Sequence, residues 1–378
     1  MVRVKTLRKL INNSLRYQVL KLTGRPGNLE SISLEITHRC ICRCQMCNIW
    51  QIPPDVPDLP LATWTGLLSS AEMQNLREID ITGGEPFLHK DLSALIFWIC
   101  RAKATHFPEL RTLAITTNGI LTDGILAITS EVLGPMKEQG VDLVFACGLD
   151  TTGPKHDHIR NLPGAWEKLS ATLEGLKLLR QNFPNLILGI KTTIVPDNVQ
   201  ELGQIVSFAR KHKLFTIISP CIITENRFGN IDRQQGLKFS PEDLKEMGAF
   251  YTDMDKAWSG HRQTMLDYLE TGEVEKPCSA GFNTVFVRHN GEVYPCPVIP
   301  SQLGNIKQEE IGTLLANATA TRFRKNIGSF TECRSCTEPG LERIAWPFEG
   351  YTCLRRIFQL GGKESSRLFA HMGLDKYF

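Results

Sequence analysis

The 378-residue chain has no uninterrupted apolar run near the roughly 18 to 20 residues that span a bilayer. Its N-terminus also lacks the apolar core of a secretory signal. Both absences predict a protein made and kept in the cytoplasm. Acidic side chains are missing from residues 1–29, where Arg3, Lys5, Arg8, Lys9, Arg16, Lys21 and Arg25 stand without a counter-charge. The net charge of +3 is nevertheless too small for a nucleic-acid footprint, and no RNA- or DNA-binding signature is present, so no nucleic-acid partner is expected. There is no low-complexity tract.

Cytoplasmic thiols stay reduced, so twelve cysteines gathered mainly in two groups favour metal ligation over disulfides. At 42% hydrophobic the chain can bury a full core, as one large domain with a smaller companion.

From residue 30 the apolar pattern alternates between strand and helix periods. Strands are predicted at 31–37, 76–82, 110–119, 141–150, 187–195 and 214–223. Helices are predicted at 58–74, 90–104, 123–138, 163–181 and 198–212. Repeated βα crossovers wind in one hand, and six of them give an α/β fold, a partial (β/α)6 TIM-type barrel. Its chemistry belongs in the loops at the C-terminal ends of the strands. "CICRCQMC" (40–47) follows the first strand and "GGEP" (83–86) follows the second, so the two motifs share that face.

Cys40, Cys44 and Cys47 have the spacing CxxxCxxC, with Cys42 the odd one out. Three thiolates can hold three corners of a cubane and leave the fourth metal open. Here the sequence resembles the radical S-adenosylmethionine (SAM) superfamily over about residues 30–225, with Met46 where relatives usually have an aromatic residue. The resemblance implies a catalytic 4Fe-4S cluster on Cys40, Cys44 and Cys47 and SAM on its open iron. It further implies hydrogen abstraction by a 5'-deoxyadenosyl radical and an electron donor such as ferredoxin or flavodoxin. Cys42 is expected to be a bystander. Gly83, Gly84, Glu85 and Pro86 match the family's GGE motif, in which Glu85 would meet the methionine ammonium. Thr117, Asn118 and Arg160 are further expected SAM contacts. Strand four ends with Gly148 where relatives often carry serine, so that contact must come from elsewhere.

Cys278, Cys296, Cys333, Cys336 and Cys353 form the second group. Asn290-Gly291 predicts a hairpin that brings Cys278 and Cys296 together. The run Cys278-x12-Gly291-x4-Cys296 resembles SPASM and twitch extensions. With five cysteines it fits the single-cluster form, on Cys278, Cys296, Cys333 and Cys336, with Cys353 a substitute or spare. A four-cysteine zinc site is the alternative.

The expected organisation is a basic amphipathic helix (1–29), the radical SAM core (30–235), a helical linker (236–275), a small hairpin-containing iron-sulfur domain (276–360) and a tail (361–378). Val4, Leu7, Ile11, Leu15, Val19 and Leu22 share one face of the first helix, a pattern suited to peripheral contact of residues 1–25 with an anionic membrane or to packing on the barrel. The 29 residues before the first strand are too few for the winged-helix module of many peptide-modifying relatives. The expected substrate is therefore a small molecule, a sugar or a lipid-linked intermediate, undergoing net oxidation. Peptide maturation and a non-catalytic metal carrier are the alternatives.

Overall fold

The computed structural model describes residues 4–53, 55–254 and 259–378. Arg3, and residues 255–258 inside the expected helical linker 236–275, lie outside them.

Alternation along six strands sets the architecture. These are β1 (Ser31–Glu35), β2 (Glu78–Thr82), β3 (Thr112–Thr117), β4 (Asp142–Gly148), β5 (Leu186–Ile194) and β6 (Phe215–Pro220). They pair in parallel in the order β6-β5-β4-β3-β2-β1. The register places Ile32 beside Ile79 and Leu34 beside Ile81, and this branched set packs outward against the helices. The helices are α2 (Leu61–Leu68), α3 (Leu92–His106), α4 (Thr122–Glu138), α5 (Pro154–Arg160), α6 (Ala165–Asn182) and α7 (Leu202–His212). Many of the residues that point inward, Ser33, Asp80, Ala114, Ala146 and Lys191 among them, are small or polar, beside apolar Val144, Ile187 and Ile217. A TIM barrel fills its centre with layers of bulky side chains. Here the centre is a cavity of about 630 Å³.

The partial barrel does not close, and its β1 edge is extended. The hairpin predicted at Asn290-Gly291 forms from β7 (Thr284–Val287) and β8 (Glu292–Tyr294), followed by β9 (Gly304–Asn305). β7 pairs in parallel with β1, giving one nine-stranded sheet instead of a separate hairpin unit. The pairing satisfies backbone groups that an edge strand would leave open. Buried Glu35 fastens it, accepting from Arg288 Nε at 3.2 Å with His289 Nδ1 at 2.9 Å.

Two further local expectations are adjusted, and the helical stretch after residue 235 is met among the described residues. The helix expected over 58–74 stops at Leu68, where the Ser69 and Ser70 hydroxyls donate back to Thr65 O and Leu67 O, and a 3-10 turn follows over Ala71–Asn75. The stretch after residue 235 gives α8 (Pro241–Asp253), capped by Ser240, and α9 (Ser259–Thr271). The C-terminal segment is no featureless tail. After α10 (Ile311–Ala316), α11 (Ala318–Lys325) and α12 (Pro339–Glu349), α13 (Tyr351–His371) kinks at Gly361 and a turn at Asp375–Tyr377 floors the barrel. Lys376 Nζ lies 2.6 Å from Glu78 Oε2, and Arg343 pairs with the same carboxylate. Burial works to raise the Glu78 pKa, but the two cations prevail and hold it at about 2.

The N-terminal helix α1 (Val4–Thr23) packs on α11, α12 and α13. Leu10 and Tyr17 make the buried contacts, and Asn13 Nδ2 donates to Pro347 O at 2.7 Å. The apolar stripe read from the sequence lies on the opposite side: Val4, Ile11, Leu15, Val19 and Leu22 are all exposed.

Candidate active site and second cysteine site

The loop after β1 carries Cys40, Cys42, Cys44 and Cys47 across the C-terminal mouth of the barrel. Its backbone is fastened on both sides. Gly84 N donates to Thr37 O at 2.8 Å and Glu85 N to Arg39 O at 2.7 Å, while Arg43 N and Gln45 N donate to Arg160 O and Ile159 O. Arg233 Nη1 reaches Cys44 O and Gln45 O at 2.8 Å, and Asn230 Nδ2 reaches Met46 O at 2.8 Å. All four cysteines line one cavity of about 160 Å³ with Gly83, Gly84, Thr117, Asn118 and Arg160. These residues therefore converge, although they come from four successive βα units.

The glycines also permit a close approach of two loops. A Cβ on Gly83 would strike Thr37 O, and one on Gly84 would strike Arg39 O and His38 O. Their small size lets the β2 loop lie directly under the cysteine loop. The Glu85 side chain lies behind the cavity lining. It is fully buried and accepts from Thr117 Oγ1 at 2.9 Å, Asn118 N at 2.8 Å and Phe87 N at 3.1 Å. Burial raises its pKa to about 7 against those donors. Its carboxylate thus clamps the β3 loop, and Pro86, buried in the turn Pro86–Leu88, is equally outside the lining.

Arg160 supplies the charged group of the cavity. Its Nε forms an ion pair with buried Asp150 at 2.7 Å, and Nη1 stands 3.8 Å from Cys44 Sγ. Asn118 Nδ2 stands 3.8 Å from Cys40 Sγ. Hydrogen bonding from Cys42 lowers the Cys44 pKa to about 7 despite burial, with Arg160 helping, and lowers that of Cys40 too. The Cys42 thiol between them is held protonated by those same contacts. Burial pushes Cys47 up to about 12.

Sequence reasoning missed the residues beneath. Thr116, Lys191, Arg227 and Glu338 line both the cysteine cavity and the large barrel cavity, so the two meet at these side chains. Arg227 lies over the Phe286 ring at 5.1 Å and donates to Thr82 Oγ1 at 2.9 Å. Asp80 faces the same interior, accepts from Ser33 Oγ at 2.6 Å, and has its pKa raised by burial. Inward-facing Asp80 and Lys191, charges set within apolar strands, were the available signal.

The second site gathers four of its five expected cysteines. Cys278, Cys296, Cys333 and Cys336 line a separate cavity of about 320 Å³ with Lys276, whose Nζ donates to Glu338 O at 2.6 Å. Burial raises Cys278 to about 12 and Cys296 well above its ordinary value. Cys353 is not among them. It sits on α13 in a different apolar cluster with Leu10, Trp346 and Phe369, because the helix that carries it turns toward α1. That removes it from the expected ligand set. Cys100, Cys147 and Cys221 stand apart from the second site.

Residues 34–209 match the family model described as the radical SAM superfamily, and residues 278–337 match that of the SPASM iron-sulfur cluster-binding domain. A GTP 3',8-cyclase of Acidothermus cellulolyticus is 31% identical over 349 residues, covering 88% of this chain and 75% of the relative. The chain belongs to the radical SAM superfamily. It is similar to the AdoMet-dependent heme synthase of Methanosarcina barkeri, at 24% identity over 81% of this chain and 86% of the relative. It is also similar to the PqqA peptide cyclase of Gluconobacter oxydans, at 24% over 82% and 83%. In fold it resembles Streptococcus suis SuiB, solved with S-adenosylmethionine (TM-score 0.57, 15% identity, 86% of this chain and 73% of that one). SuiB has also been solved with the precursor peptide SuiA (0.58, 14%, 84% and 71%).

As a radical SAM enzyme with a SPASM domain, the protein takes SAM and 4Fe-4S clusters as cofactors. Two separate cavities lined by buried and half-buried thiols fit two thiolate-held groups. Among the described residues no three His, Cys, Asp or Glu side chains stand close enough to share a single metal ion. A cubane, whose corners are separate irons, does not require that convergence. Among the described residues, no helix is long and apolar enough to cross a membrane.

Proposed function

We propose that this radical SAM enzyme abstracts a hydrogen atom from a substrate held where the two cavities meet, between Lys191, Arg227 and Glu338. In this reading Cys40, Cys44 and Cys47 hold the catalytic cluster. Gly83, Gly84, Thr117 and Asn118 wall the SAM site, and Arg160 takes the SAM carboxylate. When bound, the reduced cluster and SAM supply a 5'-deoxyadenosyl radical. The barrel's contribution is to keep that chemistry enclosed and to aim it at one C–H bond. The observation that carries the reading is the continuity of the cysteine cavity with the 630 Å³ interior through those shared side chains.

Among substrate classes, a peptide side chain is read first, because both a peptide-cyclising relative and a fold neighbour solved with a precursor peptide point to it. The PqqA peptide cyclase aligns with 82% of this chain. The second reading is an anionic small molecule: Lys191 and Arg227 offer two cations, and a GTP 3',8-cyclase is 31% identical over 88% of this chain. Net oxidation fits either one. Cys278, Cys296, Cys333 and Cys336 would hold the cluster that takes up the substrate's remaining electron, and Asp80, which faces the large cavity, would accept the proton.

The test is anaerobic turnover with SAM and dithionite, adding either short peptides encoded beside the gene or a nucleotide and sugar-phosphate set. Peptide-stimulated 5'-deoxyadenosine with a mass loss on the peptide supports the first reading. Stimulation by the anionic small molecules alone moves the assignment to the second.

A further inference from the structure

Large apolar side chains left exposed among the described residues are concentrated on two helices. Of twelve, eight belong to α1 and α13, which pack against each other. On α1 they are Val4, Ile11, Leu15, Val19 and Leu22. At 3.6 residues per turn, Val4, Ile11, Leu15 and Leu22 fall within about 40° of one another. On α13 they are Tyr351, Phe358 and Leu360, with Phe358 84% exposed. Scattered surface leucines are ordinary, but a continuous stripe is not.

The orientation of α1 is fixed by its other face. Leu10 and Tyr17 are buried, the Tyr17 hydroxyl donates to Cys278 O at 2.8 Å, and the α12–α13 junction at Gly350 lies against Leu10 O. Rolling the stripe inward would break all of these contacts. The stripe is bordered by the exposed cations Lys5, Arg8 and Arg16, with no acidic side chain anywhere in α1, while Lys9 and Lys21 face the protein body. On α13, Arg355, Lys363 and Arg367 accompany Phe358 and Leu360.

We propose that α1 and α13 form a monotopic docking face for an anionic lipid bilayer, with α1 lying in the interface plane. An outward apolar stripe bordered by cations is the arrangement that binds there, by partial insertion of the apolar chains and attraction to anionic headgroups. A second copy of this chain is a poorer occupant, because two-fold pairing through the stripe would set the same cations against each other. The inference is independent of the substrate reading.

The test is co-sedimentation of the full-length reconstituted enzyme with vesicles of phosphatidylcholine, with or without phosphatidylglycerol. Leu15→Asp and Phe358→Asp are compared with Leu178→Asp, an exposed position on the barrel exterior. The expected result is binding to the phosphatidylglycerol vesicles only, weakened by salt and reduced roughly tenfold or more by either of the first two changes. Leu178→Asp should bind as wild type, and all three variants should retain SAM cleavage. Absence of binding to anionic vesicles, equal binding to neutral ones, or undiminished binding by Leu15→Asp and Phe358→Asp would each overturn the proposal. So would a lipid-free dimer that Leu15→Asp dissociates.

Discussion

Arg160 occupies the space that a side chain at position 148 would need: a Cβ on Gly148 would stand 2.5 Å from Arg160 Nη2. The strand end that lacks the serine common among relatives is thereby filled by a guanidinium, which Asp150 orients. Gly148→Ser should displace that group and weaken SAM binding roughly ten- to a hundredfold, the worth of a charge-assisted hydrogen bond. Iron content should be unchanged. Equilibrium binding of SAM to the reconstituted variant measures this, and wild-type affinity would remove Arg160 from the SAM site.

The cysteines separate into ligands and neighbours. Alanine at Cys40, Cys44 or Cys47 should each cost about four irons per chain, and alanine at Cys278 or Cys296 should cost another four from the second site. Cys42→Ala and Cys353→Ala should keep both, since Cys42 donates to its neighbours and Cys353 is packed beside Leu10 and Trp346. Iron and sulfide assays on each variant decide it.

Lys191→Met and Arg227→Met should leave slow SAM cleavage without substrate close to wild type while cutting substrate-stimulated turnover by roughly a hundredfold. Equal loss in both assays would place these residues at the SAM site instead.

The barrel floor makes stability depend on pH. Glu78 has a folded-state pKa of about 2 against an ordinary 4.5. The depressed value means that its ionised form stabilises the fold above about pH 4.5, and that this contribution is lost as pH falls toward 2. The shift corresponds to about 3 kcal/mol. Glu78→Gln in the metal-free protein should lower the unfolding free energy by that order at pH 7, with the gap to wild type narrowing below pH 4.5. A gap constant with pH would mean that the ion pairs with Arg343 and Lys376 contribute little.

Much of the barrel was legible because its strands put branched residues outward and many small or polar ones inward, a period of two that survives in the bare sequence. The cysteine loop was legible through spacing, and its place beside Gly83 and Gly84 through strand order. What escaped depends on contacts distant in sequence. Nothing local in "TVFV" says that β7 will pair with β1 and not form its own sheet. Nor does Cys353 announce that its helix turns toward α1. Glu85 was correctly placed in the site's surroundings, but its partners Thr117 and Asn118 lie a strand away, so its role as a clamp could not be read. The stripe of α1 was visible, whereas the side of the helix that would pack was decided by Tyr17 and Asn13.

The central claim is that two thiolate-held cubanes serve one SAM-cleaving barrel, and oxygen-free reconstitution tests it most directly. Metal, sulfide and 5'-deoxyadenosine should be quantified on the same sample. The account predicts about eight iron and eight sulfide per chain, with 5'-deoxyadenosine formed only when reductant and SAM are both present. A preparation that holds zinc in place of iron and yields no 5'-deoxyadenosine would contradict it.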